Sequence, residues 1–173
     1  AMQFRSTDLD DSLRCYSLMK YCFVQIRNYV KAYEINSRME LLKPRMNDSV
    51  QIDFGINKSS LLAALNFYNE AIKERRAEFN RDHTIKDTDA VASLYNDVGV
   101  YFNRSKNWDS AEVSFLKAKE VLSALKYPES KKVHYEFFKA LIGGNLGYIY
   151  FNKGQTNKAI PLLKEDIYFS LKD

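Results

Sequence analysis

The stretch YNDVGVYFNRSKNWDSAEVSFLKA, residues 95–118, decides how this chain folds. The stretch LGYIYFNKGQTNKAIPLL, residues 146–163, repeats its frame, with Gly147 standing 48 residues after Gly99. In each, a glycine lies three residues before an aromatic, Phe102 or Tyr150. A small alanine comes nine residues later, Ala111 or Ala159, and a large apolar residue four further on, Phe115 or Leu163. This spacing predicts a helical hairpin in which small residues let two helices touch and large ones plug the space beside them. A hairpin that recurs builds a surface by stacking, rather than a catalytic cleft of its own.

The pattern extends backwards. Ala64, Tyr68 and Ala71 have the spacing of Ala111, Phe115 and Ala118, and a further step back reaches Ser17, Tyr21 and Val24. The period read this way is about 47 to 48 residues, with roughly three and a half units in the chain. Second helices are expected at 8–27, 59–80, 108–126 and 156–171. First helices are expected at 87–104 and 130–152, with a less regular one within 30–57, so about seven in all. Turn signals at Asn57-Lys58-Ser59, Ser105-Lys106-Asn107 and Lys153-Gly154-Gln155 separate them. Ser59 or Ser60 and Asp109 are the expected N-caps, and Pro128 marks the linker 126–130. Pro44, the alternation from Asp48 to Phe54, and Gly55 predict a kinked or loop-containing segment over 36–57.

Composition agrees with an all-α protein. The 173 residues are 46% hydrophobic and 14% aromatic, enough to bury a core and too apolar for disorder. Only 6 glycines and 3 prolines punctuate them, fewer than a turn-rich all-β protein needs. The formal charge of +4 comes from 26 basic and 22 acidic residues without a concentrated patch, so nucleic acid is not the expected partner. The densest basic run, Lys73, Arg75, Arg76 and Arg81, is read as a solvated helix end. No apolar run is long enough to span a membrane. Ala1-Met2 resembles a tag remnant, and the sequence is expected to be a piece of a longer protein. Cys15 and Cys22, seven residues apart, would lie about 10 Å apart on one helix, too far for a mutual disulfide, and are expected to be half-buried.

Tyr95-x-x-Val98-Gly99-x-x-Phe102, followed by Ala111, Phe115 and Ala118, resembles the tetratricopeptide repeat (TPR). Leu146, Gly147, Tyr150, Ala159 and Leu163 resemble it again. Gly143 stands where that motif has a large aromatic, Asp166 where it has a second alanine, and Ser123 where it has proline. The resemblance implies one domain over 1–173, a right-handed α-solenoid of antiparallel hairpins with units near 8–27 (half), 30–80, 87–126 and 130–171. The long spacing resembles the elongated arrays of bacterial signalling regulators and the amino-terminal regions of sensor histidine kinases.

No constellation for catalysis stands out. His83 and His134 have no second histidine at helical spacing, and the cysteines lack zinc-ligand spacing. Asp8, Asp10 and Asp11 lack the glycine and closing glutamate of a calcium loop, and fit the positive end of a helix. Gly143-Gly144 follows no strand and precedes no Lys-Ser/Thr, unlike a phosphate loop. No enzyme activity, cofactor or metal is therefore expected. By the resemblance, the first helix of each hairpin lines a groove. Its residues would be Asn96, Asp97, Val100, Asn103 and Arg104 in one repeat, and Leu141, Asn145, Tyr148, Phe151 and Asn152 in the next. Asparagines can pair with a peptide backbone, and Tyr148 with Phe151 could hold an apolar side chain, unless both pack on a neighbouring helix. The Lys/Asn/Arg set by which chaperone-binding members clamp a terminal carboxylate has no counterpart.

The expected function is thus a non-catalytic scaffold that binds a protein or peptide segment. The alternatives are a regulatory input module of a longer bacterial signalling protein and, behind it, an RNA-binding helical repeat. The apolar face of helix 156–171, with Ile160, Leu163, Ile167, Phe169 and Leu171, calls for further repeats, a downstream domain or a homodimer.

Overall fold

Four tight turns set the frame of the molecule. The computed structural model describes residues 6–42, 58–81 and 88–171. Among the described residues there are eight α-helices: α1 (Ser6–Gln25), α2 (Tyr29–Leu42), α3 (Lys58–Ala64), α4 (Tyr68–Arg81), α5 (Thr88–Arg104), α6 (Trp108–Ala124), α7 (Lys132–Asn152) and α8 (Thr156–Ser170). After α1, α3, α5 and α7 the backbone turns left-handed at Arg27, Asn66, Lys106 and Gly154, with φ of 57°, 67°, 59° and 74°. At each, the left-handed residue's N–H donates to the carbonyl three residues back: Val24, Ala63, Asn103 and Phe151. The next N–H donates five residues back, to Phe23, Leu62, Phe102 and Tyr150. These are Schellman caps, which satisfy the last carbonyls of one helix and reverse the chain into the next.

This frame corrects the repeat register of the first half. Five residues after each left-handed position stands a buried alanine: Ala32, Ala71, Ala111 and Ala159. The turns are 39, 40 and 48 residues apart, so a 48-residue period holds only for the last step. Ala64 closes α3 and is not the counterpart of Ala111. The helix expected at 59–80 is two helices, broken at Asn66 because its C-cap bonds end α3 there, which makes eight rather than seven. The helix expected at 8–27 opens a hairpin with α2 instead of closing one. Lys58-Ser59 is the start of α3, not a turn, and Ser59 is fully buried. The cap of α6 is Asn107, whose side chain accepts from the Ser110 N–H at 3.2 Å; Asp109 lies inside the first turn. The irregular segment expected around Pro44, Asp48 to Phe54 and Gly55 lies outside the described residues, as does His83.

The chain divides into two compact units, Ala1–Ala71 and Ile72–Asp173, with the boundary inside α4. In the first, Leu13 of α1 packs with Ile35 and Met39 of α2, flanked by Tyr16, Phe23 and Leu42. In the second, α5 pairs with α6 and α7 with α8, while α6 also packs on α7. Ala111, Phe115, Ala118 and Leu122 of α6 meet Ile142, Leu146 and Ile149 of α7 in one core. The α6–α7 connection is pinned by Tyr127, whose ring stacks on Tyr135 at 4.5 Å and whose hydroxyl donates to Glu136 at 2.7 Å. The Tyr135 hydroxyl in turn donates to Asp89 of α5 at 2.6 Å. Pro128 stands in this linker in extended conformation, ahead of a 3-10 turn at Glu129–Lys131.

Seven residues before each left-handed turn lies a position that, in α5 and α7, faces the second helix of the hairpin at close range. In the second unit it is glycine. A Cβ on Gly99 would stand 2.6 Å from Phe115 Cε1, and one on Gly147 2.9 Å from Leu163 Cγ. In the α1–α2 hairpin the corresponding residue is Lys20, 1% exposed, and the residue corresponding to Phe115 is the short Asn36. The Lys20 ammonium donates to Asn36 Oδ1 at 3.4 Å. Volume is thus exchanged across the pair: small against large in one hairpin, large against small in another.

Candidate functional site

The sequence of α7 divides its surface into three strips. Ile142, Leu146 and Ile149 face α6, while Gly143, Gly144 and Gly147 face α8, where Leu162, Asp166 and Leu163 lie against them. The third strip is apolar too, but open. Val133, Phe137, Leu141, Tyr148 and Phe151 recur at helical spacing and are all exposed, Tyr148 at 52% and Phe151 at 60%. The reading in which Tyr148 and Phe151 pack on a neighbouring helix is not what the fold contains. Val133 and Phe137 lengthen the expected strip by two turns towards the start of α7. Their i, i+4, i+8 relation to Leu141 was present in the sequence as a signal.

The corresponding strip of α5 is mostly polar, with Val100 as its apolar member. Asn145 of α7 donates from Nδ2 to Asn96 Oδ1 of α5 at 3.1 Å, which ties the two first helices together. Val100 and Asn103 are half-buried beside it, and Arg104 is exposed at the helix end. Asn152 donates to the Tyr148 carbonyl at 2.8 Å, closing the last turn of its own helix rather than facing outward as a free donor. Asp97 is committed to α4: Arg75 donates from Nε to Asp97 Oδ2 at 2.8 Å. Burial pushes the Asp97 carboxyl above its ordinary value, and the Arg75 guanidinium pulls the other way. Arg75 therefore departs from the solvated basic run expected at 73–81; its side chain is only 15% exposed.

A three-way ion contact holds the α7–α8 turn. The Lys153 ammonium donates to Asp109 Oδ1 and to Glu112 Oε2, each at 2.7 Å, and both carboxylates raise its pKa. Burial, with help from Glu112, raises that of the Tyr150 phenol beside it. On the opposite face of α5, a cavity of about 390 Å³ is lined by Tyr95, Val98, Phe102 and Ser114, with Arg76 and Lys117 among its cations. The Lys117 ammonium lies 5.6 Å from the centre of the Tyr95 ring, a cation–π distance.

Among the described residues, no group of three or more His, Cys, Asp or Glu side chains is placed to hold a metal ion, and no helix is long and apolar enough to cross a membrane. His134 is exposed, edge-on to Tyr135 at 5.4 Å. Cys15 and Cys22 are both exposed on α1, not half-buried as expected.

Known structures share this fold. BtubC (BKLC) from P. vanneervenii superposes with a TM-score of 0.70 at 19% identity, over 95% of this chain and 65% of that one. MamA from Desulfovibrio magneticus RS-1, residues 41 to the end, superposes at 0.58 with 13% identity, over 96% of this chain and 88% of that one. The MamA RS-1 ArsTM double mutant superposes at 0.56 with 12% identity, over 92% and 76%. The fold is TPR-like. The all-α hairpin solenoid expected from residues 95–118 is met, and the chain spans about 65% of the length of BtubC. No protein-family profile and no curated protein matches it.

Proposed function

We propose that the chain is a non-catalytic scaffold that holds a protein or peptide segment along α7, with α5 as the polar wall beside it. The observation that carries this reading is the open strip Val133, Phe137, Leu141, Tyr148 and Phe151, five apolar side chains exposed on one helix face. Isolated exposed apolar residues are ordinary, whereas a continuous rimmed strip marks an interaction surface. The TPR-like fold adds a general expectation of protein interaction. In this reading Tyr148 and Phe151 take an apolar side chain of the partner. Asn103, Arg104 and the remaining valences of Asn96 and Asn145 meet its backbone and polar groups.

The test is selection of binders from a phage-displayed random peptide library on the intact chain. The selected peptides should lose at least about tenfold in affinity on Tyr148→Ser/Phe151→Ser, with unchanged helical circular dichroism. Equal binding to that variant overturns the reading. The finer role, an input module of a bacterial signalling protein, rests on the resemblance of residues 145–163 alone.

A further inference from the structure

The first helix carries a surface that its counterparts keep inside. Counting back from each left-handed turn, Val98 and Tyr101 of α5 are buried, as are Ile142, Leu146 and Ile149 of α7. In α7 these residues are the ones that pack on α6. At the same positions α1 has Cys15, Met19 and Cys22, and all three are exposed. Leu18, 65% exposed, and Ile26, 69% exposed, complete the strip. It lies opposite the face that carries Leu13 and Lys20. α1 is therefore apolar on two sides, only one of which is covered by α2.

We propose that this strip is the interface of a homodimer in which two copies of α1 pack antiparallel, crossing at Leu18 and Met19. The pattern is self-complementary about that point. A two-fold axis between residues 18 and 19 sets Leu18 against Met19 of the second copy and Cys15 against its Cys22, twice over. The same operation brings the exposed Asp11, near the start of the helix, to the end that carries the exposed Arg27, so opposite charges meet at both ends. A parallel pairing would set Asp11 against Asp11 of the second copy and is disfavoured by that like charge. The two helix dipoles also oppose in the antiparallel arrangement. The seven-residue separation, too long for a bond within one helix, suits two bonds across the axis.

Oxidation by diamide reads the geometry directly. Each disulfide forms as two thiols give up two protons and two electrons, which reduce diamide to its hydrazine. The wild-type chain should give a covalent dimer on non-reducing gels, from protein that sediments as a dimer in reductant. Cys15→Ser and Cys22→Ser should each fail to cross-link alone, because each thiol then faces a serine. An equimolar mixture of the two should recover about half of the wild-type cross-link, the statistical share of mixed dimers. Leu18→Glu/Met19→Glu, at exposed positions that leave the α1–α2 core intact, should sediment as a monomer. A wild-type monomer overturns the proposal and leaves the strip to another segment or protein. Cross-linking within either single variant overturns the antiparallel register.

Discussion

At the residue scale, the clearest consequences lie at the glycines of α5 and α7, because they differ in what faces them. Gly99→Ala drives a methyl into the Phe115 ring, 2.6 Å away, and should cost about 1–3 kcal/mol by overpacking. Urea denaturation measures it, and Gly99→Ala/Phe115→Leu should recover part of the loss. Gly143 is different: a Cβ there meets only Leu162 Cδ2, at an ordinary 3.7 Å. Gly143→Ala should therefore stabilise α7 by about 0.5–1 kcal/mol through helix propensity, seen as a rise in the urea midpoint. The need for glycine at 99 and 147 was legible from their spacing to Ala111 and Ala159. That Gly143 occupies the motif's aromatic position without a steric demand was not, because the space facing it depends on where Leu162 comes to rest.

At the element scale, hairpins are fixed by their caps and by the pairs that join neighbouring helices. Lys106 pays a Cβ penalty for its left-handed φ of 59°, while Gly154 fills the same role without one. Lys106→Gly should raise stability by about 0.5–1 kcal/mol and Gly154→Ala should lower it by a similar amount, both measurable by thermal unfolding. Between α4 and α5, Arg75→Ala would strand Asp97 without its cation in a partly desolvated site, at a cost of about 1–3 kcal/mol near neutral pH. Asp97's folded pKa already lies above the unfolded 3.8, and loss of Arg75 raises it further. The variant's stability should therefore fall as pH rises from 3.8 through that raised value, since protons bound by the folded form are lost there. Conversely the deficit against wild type should shrink in acid; a deficit constant with pH refutes the assignment. The signal for the first two turns was also in the sequence. Arg27-Asn28-Tyr29 and Asn66-Phe67-Tyr68 each place an aromatic two residues after the turn and an alanine five after it, as Lys106-Asn107-Trp108 does. It was masked because non-glycine residues adopt the left-handed conformation there, and because Lys20 and Ser59 replace the glycine that marks the later hairpins.

At the scale of the whole molecule, the open strip of α7 departs from a fold that buries apolar residues where it can. A ligand held by the apolar Leu141, Tyr148 and Phe151 should bind with little dependence on salt. A steep fall in affinity with salt would point instead to the nucleic-acid reading. The ten residues expected to line a groove do not act alike once packed. Asn96 and Asn145 bind each other, Asp97 is drawn to Arg75, Asn152 serves its own helix, and Leu141, Tyr148 and Phe151 remain open. Local spacing by itself determined the all-α class, the hairpins at 95–118 and 146–163, and the glycine–alanine contacts, because these depend on the 3.6-residue period and on the volume of facing side chains. Only the tertiary structure decided which apolar strips are covered and which polar groups are already partnered. Those outcomes depend on residues far apart in the chain, such as Arg75 with Asp97 or Asn96 with Asn145, whose meeting no local period encodes.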